Sequence, residues 1–167
     1  AEDIRKAIFV DDTGAANERL KDTLLAQPAI FATEYALSRL WLSWGITPDL
    51  LVGHSIGEFC AACISGIMSL EDASFLVAVR AKLMRSCEPG AMLSVRLSEE
   101  DLQPILNKDV SIGAVNSPKL SVVSGPHAAI KLVEKECETR NIPCRRLQTS
   151  HAFHSSMIDP AVGQFDR

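Results

Sequence analysis

Residues 50–58 read "LLVGHSIGE": three apolar positions, then a serine with Gly53 two places before it and Gly57 two places after. An apolar run that meets glycine and continues into helix-forming sequence predicts a strand, a sharp turn and a helix. A serine at such a turn has its oxygen exposed. The flanking glycines relieve crowding around it, and the helix N-terminus behind it favours negative charge. The competing reading is a plain glycine turn, because a pattern with three fixed positions also arises in unrelated loops. The approach "TPDLLVG" (residues 47–53) predicts a turn and a short strand covered on both faces, as in a parallel sheet.

Working outward, "PAIFATEYALSRLWLSWG" predicts a buried helix that starts at Pro28 and stops at Gly45. Ile30, Leu37, Leu40, Trp41 and Trp44 fall on one of its faces. Downstream of the serine, "EFCAACISGI" is rich in small residues and predicts a closely packed helix ending at Gly66. "SLEDASFLVAVRAKLMRS" follows, with Ser69 three residues before Asp72, an acidic first turn and a basic end, and with Leu76, Val79 and Leu83 marking its inner face. The opening residues, "AIFV" and then "DDTGAA", predict no strong element.

From Gly90 the pattern changes. "AMLSVRL" alternates as a strand, and "SEEDLQPILNK" reads as a helix capped by Ser98. "VSIGAVNS" and "LSVVSG" read as two strands joined at Ser117-Pro118, "HAAIKLVEKECETRN" as a helix and "IPCRRLQT" as a last strand. The β-α-β-β-α-β order is the ferredoxin-like pattern, here a small subdomain inserted in a larger α/β one.

Composition bounds what such a chain does. At 167 residues and 47% apolar content it can bury a core. With a net charge of −4 and 17 Lys and Arg in no basic run, nothing favours nucleic acid. Five cysteines, an odd and sparse set without a signal peptide ahead of them, point to a reducing, cytoplasmic setting. Arg39, Asp49 and Glu58 interrupt the most apolar region, so no stretch reaches the roughly 20 residues that span a bilayer. No membrane association is expected.

A serine hydroxyl needs a base to take its proton. Four histidines are available. His54 adjoins Ser55 and its side chain would leave the elbow in another direction, while His127 sits in the turn "SGPHAA". "SHAFHSS" supplies His151 and His154 where the chain leaves the small subdomain, so one of these two is the expected base.

Taken together and in order, "GHSIGE", "VAVRAKLM", "PGAMLSV" and "SHAFHS" resemble the acyltransferase domain of modular polyketide synthases, a relative of malonyl-CoA:acyl carrier protein transacylase. The resemblance runs from "TLLAQPAIFATEYAL" to "HAFHSSMIDP". It implies a partial α/β-hydrolase-like large subdomain at residues 1–88, the ferredoxin-like subdomain at 89–150, and a return to the large subdomain at 151–167. It also implies that Ser55 forms an acyl ester, that His154 is its base and later the acid for the leaving thiol, and that Ile56 offers a backbone N–H to the oxyanion.

Arg80 matches the arginine that grips the free carboxylate of a dicarboxylic acyl group, a task suited to a planar guanidinium. The plain alternative is a surface charge on a helix. His54 and Gln27 match positions near the pocket, although Gln27 suits a packing role at a helix start equally well. Family members selective for malonyl carry "HAFH" where methylmalonyl-selecting ones carry "YASH". His151 and Phe153 therefore imply malonyl, with the phenyl ring filling the space of an α-methyl branch; one methyl group is worth about 1–3 kcal/mol of discrimination. The donor implied is malonyl-CoA and the acceptor is the phosphopantetheine thiol of an acyl carrier protein. Neighbouring synthase domains are the further partners, and no cofactor is permanently bound.

Two departures bear on this expectation. The family opens with a "GQG"-type segment that supplies a second oxyanion N–H, and nothing upstream of Ile8 resembles it. The chain also ends at Arg167, ahead of the family's C-terminal stretch. An internal fragment of a domain is the expectation, and half an oxyanion hole forfeits about 3 kcal/mol. Three rival readings stay open. Cys60 and Cys63 could join His151 and His154 in a zinc site, against which small thiols on a packed helix are ordinary core residues. A serine esterase or thioesterase shares the elbow but needs an acidic third member and has no use for Arg80. A non-catalytic piece could serve only to dock a carrier protein or as a scaffold.

Overall fold

The structure, a computed structural model, describes residues 3–9, 14 and 18–166. Most of "DDTGAA" lies outside the described residues. The chain divides into two compact units, residues 1–82 and 83–167.

The first unit is helical among its described residues: α1 (Arg5–Ile8), α2 (Thr23–Ser43), α3 (Gly57–Ile64) and most of α4 (Leu70–Arg85). Helix α2 starts five residues earlier than Pro28, because the Asp22 carboxylate accepts a hydrogen bond from the Leu24 N–H and caps it there. Pro28 then lies inside the helix and removes one intrahelical hydrogen bond. The expected stop holds: the chain turns at Gly45, whose φ of +80° suits only a residue without a side chain.

The buried face of α2 is not the expected one. Gln27 and Phe31 are buried, whereas Ile30, Leu37, Leu40, Trp41 and Trp44 are 44–62% exposed. Helical spacing shows which residues share a face. Which of two apolar faces meets a neighbour depends on what packs beside it. Here the core is Phe31, Ile56, Cys60, Ala73 and Val77, flanked by Tyr35, Phe59 and Ile64.

Residues 49–54 form no strand, contrary to expectation. A strand exists through the ladder it makes with a neighbour, and the described residues of this unit include no strand to pair with. Leu50 and Val52 stand 80% and 81% exposed in consequence. Helix α4 begins as read: the Ser69 hydroxyl accepts from the Asp72 N–H at 3.0 Å and donates to its carboxylate at 2.6 Å. Its buried line is Ala73, Val77, Ala81 and Met84, while Leu76, Val79 and Leu83 are half-buried beside it.

The second unit holds β1 (Ala91–Val95), α5 (Glu99–Leu102), β2 (Ser111–Ser117), β3 (Leu120–Gly125), α6 (His127–Thr139), β4 (Cys144–Arg146) and α7 (Asp159–Phe165). The strands make one antiparallel sheet in the order β2-β3-β1-β4. Alternate residues of β1 and β3 point at α6: Leu93, Val95 and Val123 are fully buried against Ile130, Val133 and Cys137. The chain is thus a mixed α/β protein with a small antiparallel sheet. Residues 151–154 lie along the entry to β1 and against β2. His151 bridges Pro89, Ala152 is fully buried, and a side chain on Gly113 of β2 would come within 3.3 Å of the Phe153 carbonyl oxygen.

Candidate active site

Ser55 has a φ of 54°, the left-handed region that L-residues enter rarely and at a cost of about 1–3 kcal/mol. The cause is local. The chain arrives along residues 50–53 and enters α3 after three more residues, so the backbone folds back on itself. A Cβ on Gly53 would sit 2.1 Å from the Glu58 nitrogen, which only glycine avoids. The Gly53 N–H donates to the Glu58 carboxylate at 2.9 Å and clasps the two arms of the turn. Glu58 is a brace that the reading of the motif missed, although it stands five residues after Gly53 in the quoted stretch. The N–H of Ile56 makes no hydrogen bond to any described residue, and Ile56 itself is buried.

Beneath the elbow lies a cavity of about 210 Å³ whose lining includes Glu34, Ser38, Gly53, His54, Gly57 and Cys60. His54 is thereby part of this cavity's wall. One carboxylate oxygen of Glu34 is buried without a hydrogen-bond partner. Burial holds the Glu34 carboxyl above the usual carboxylate range. No sequence signal marked this glutamate, since "ATEYAL" reads as ordinary amphipathic helix.

Arg80 is half-buried on α4, and its guanidinium donates to the Gln27 side-chain oxygen. The Gln27 amide in turn donates to the Thr23 hydroxyl at 2.7 Å. Two residues expected near one pocket, Arg80 and Gln27, are therefore in contact within the first unit. Burial draws the Arg80 pKa below its ordinary value, and among the described residues no carboxylate forms an ion pair with it.

In the second unit, His154 has a φ of 58°. It sits between Phe153, which packs on Met84, Cys87 and Ile158, and Ser155, whose hydroxyl donates to the Ala152 carbonyl at 2.7 Å. His151 is 6% exposed, with both ring nitrogens engaged by protein groups: Nδ1 lies 2.8 Å from the Ser150 hydroxyl and Nε2 3.2 Å from the Cys87 carbonyl oxygen. Among the described residues no cluster of three His, Cys, Asp or Glu is placed to hold a metal ion.

Ser55 thus stands in a left-handed backbone conformation at a turn closed by Gly53, and comparison with known proteins assigns the chain. Residues 7–165 match the acyl transferase domain family. The chain belongs to that family. Among its relatives, it is 45% identical over 147 residues to mycoketide-CoA synthase of Mycobacterium tuberculosis, covering 87% of this chain and 4% of that protein. It is 39% identical over 166 residues to the spectinabilin polyketide synthase system protein NorB of Streptomyces orinoci, covering 97% and 8%.

Solved acyltransferase structures agree. The domain from the second module of the salinomycin polyketide synthase superposes with a TM-score of 0.88 at 43% identity, covering 99% of this chain and 39% of the other. The malonyl CoA-acyl carrier protein transacylase of Burkholderia pseudomallei gives 0.84 at 35% identity, covering 97% and 57%. The chain thus spans a small part of the curated synthases and about two-fifths of the solved salinomycin domain. As an acyltransferase chain of polyketide synthase type, it has no described helix long and apolar enough to cross a membrane.

Proposed function

We propose that the parent domain transfers a malonyl group from coenzyme A, through an ester on Ser55, to the phosphopantetheine thiol of an acyl carrier protein within a polyketide synthase. The observation that carries this reading is the left-handed backbone of Ser55 at a turn that only Gly53 can close. A serine held in that conformation directly before α3 suits a nucleophile, and the Ile56 N–H, which donates to no described residue, is the donor we assign to the developing oxyanion.

In this proposal His154 takes the Ser55 proton as the hydroxyl attacks the thioester. It returns the proton to the coenzyme A sulfur as the tetrahedral intermediate collapses. The carrier thiol then attacks the Ser55 ester with His154 again as base, and the proton passes to the Ser55 oxygen as its bond to the acyl carbon breaks. Arg80, half-buried and paired with no carboxylate among the described residues, holds the free carboxylate of the malonyl group, with Gln27 orienting the guanidinium. His54 and Phe153 line the acyl site, Phe153 by filling the space of an α-methyl branch. We read the architecture as a partial α/β-hydrolase-like subdomain (residues 1–88 and 151–167) interrupted by a ferredoxin-like one (89–150), acting in the cytoplasm beside other synthase domains. The observed strand order supports the second half of that reading.

Ser55→Ala should abolish labelling by radioactive malonyl-CoA, and label persisting at that position would end the assignment. A labelled serine that releases free malonate at once, with no carrier thiol present, would make the domain a hydrolase. Arg80→Ala should move donor preference from malonyl toward acetyl groups by about tenfold or more, the loss of one charge-assisted pair, read from competition between the two thioesters.

A further inference from the structure

The segment that carries His154 is tied down upstream by His151. A carbonyl oxygen only accepts, so the contact of Nε2 with the Cys87 carbonyl puts the ring hydrogen on Nε2. Nδ1 shares the second hydrogen bond with the Ser150 hydroxyl at 2.8 Å. The same stretch makes a β-bridge between His151 and Pro89, and the Gly90 N–H donates to the Ser150 carbonyl at 3.3 Å. A Cβ on Gly90 would lie 2.6 Å from that of Ala152, so the two backbones are pressed together. Beyond Ala152, Phe153 joins the Met84, Cys87 and Ile158 cluster, and the His154 Cβ lies 3.5 Å from where a side chain on Gly113 would begin. His154 therefore leaves, in a strained backbone conformation, from a segment anchored on both sides.

We propose that His151 is a positioning residue for His154: a buried imidazole that clasps residues 150–152 to residues 87–90 and so sets where the base imidazole begins. It acts through the backbone, not by touching the acyl group. The inference rests on the reading of His154 as the base. A buried partner that orients a functional side chain is worth about 10–100-fold when removed, by analogy with the outer shells of metal sites.

The test uses the intact protein and transfer from malonyl-CoA to its carrier. His151→Leu should lower kcat about tenfold or more with the KM for malonyl-CoA within about twofold. His151→Gln, whose amide N–H can still donate to the Cys87 carbonyl, should recover most of that loss. Ser150→Ala removes only the Nδ1 contact and should lower kcat about threefold at unchanged KM, which keeps a test available if His151→Leu does not fold. His154→Ala is the control for the underlying reading and should be inactive.

A His154→Ala variant with normal turnover would refute the base assignment and the clasp with it. An inactive His154→Ala beside a folded His151→Leu or a Ser150→Ala of normal kcat would refute the clasp alone. A His151→Leu variant that keeps kcat but raises KM, or changes the preference between malonyl and methylmalonyl donors, would make His151 a substrate contact and overturn the proposal.

Discussion

At Glu34 a carboxyl group faces the first residue of α3 from below: a Cβ on Gly57 would stand 3.6 Å from one of its oxygens. Its pKa is raised by burial, so folding favours the neutral form. The sign of the linkage follows. The favourable contribution is fully present below the unfolded pKa and is lost as pH rises through the raised folded value. Once the pH has risen through that value, the wild-type protein carries an ionised carboxylate in a site that prefers it protonated. Glu34→Gln, neutral at every pH, should raise the thermal midpoint at pH 7 and leave it near that of the wild type at pH 4. Melting curves at the two pH values read this, and equal midpoints at pH 7 would show that the carboxylate is well solvated. Cys60 and His54 share the cavity, and the Cys60 thiol, itself pushed up by burial, remains protonated over this range.

Among the elements, α4 matters most, because it carries Arg80, lends Val77 to the first core and Met84 to the cluster that holds Phe153. Its start rests on one side chain. The Ser69 hydroxyl satisfies the Asp72 N–H, one of the donors that a helix leaves unpaired at its N-terminus. Ser69→Ala should cost about 1 kcal/mol by urea denaturation, the usual worth of such a cap. A loss below a few tenths would mean that Asp72 or solvent replaces the hydroxyl. The cap and the end of the preceding helix at Gly66 were both legible in "SGIMSLED", because capping is local chemistry between residues three apart. The inner face of α4 was not. Ala73 and Ala81 are small, carry little apolar signal and yet are fully buried, because small side chains let neighbouring backbones approach.

Over the whole molecule, exposed apolar side chains stand out: Leu50 and Val52 along residues 49–54, and Leu37, Leu40, Trp41 and Trp44 on α2. Exposed apolar side chains favour association, and a modest net charge of −4 gives limited repulsion between copies. The chain on its own should associate as its concentration rises, seen by light scattering. Replacing Leu50 and Val52 together with lysine should raise the concentration at which this begins. No change would place the association surface elsewhere.

What could be read along the chain was whatever depends on near neighbours in sequence. The elbow at Ser55, the helix stops at Gly45 and Gly66, the cap at Ser69 and the β-α-β-β-α-β order from Gly90 all arise from turn sterics, capping and side-chain periodicity within a few residues. Tertiary packing decided the rest. Residues 49–54 have the composition of a strand and form none, since a ladder needs a partner that the described residues of that unit do not provide. Helix α2 buries Gln27 and Phe31 rather than its tryptophans, because burial belongs to the pair of surfaces that meet. His151, one of two histidines in "SHAFHSS" that sequence alone could not tell apart, proves to be locked between Ser150 and the Cys87 carbonyl, a contact across 64 positions of chain that no local pattern encodes.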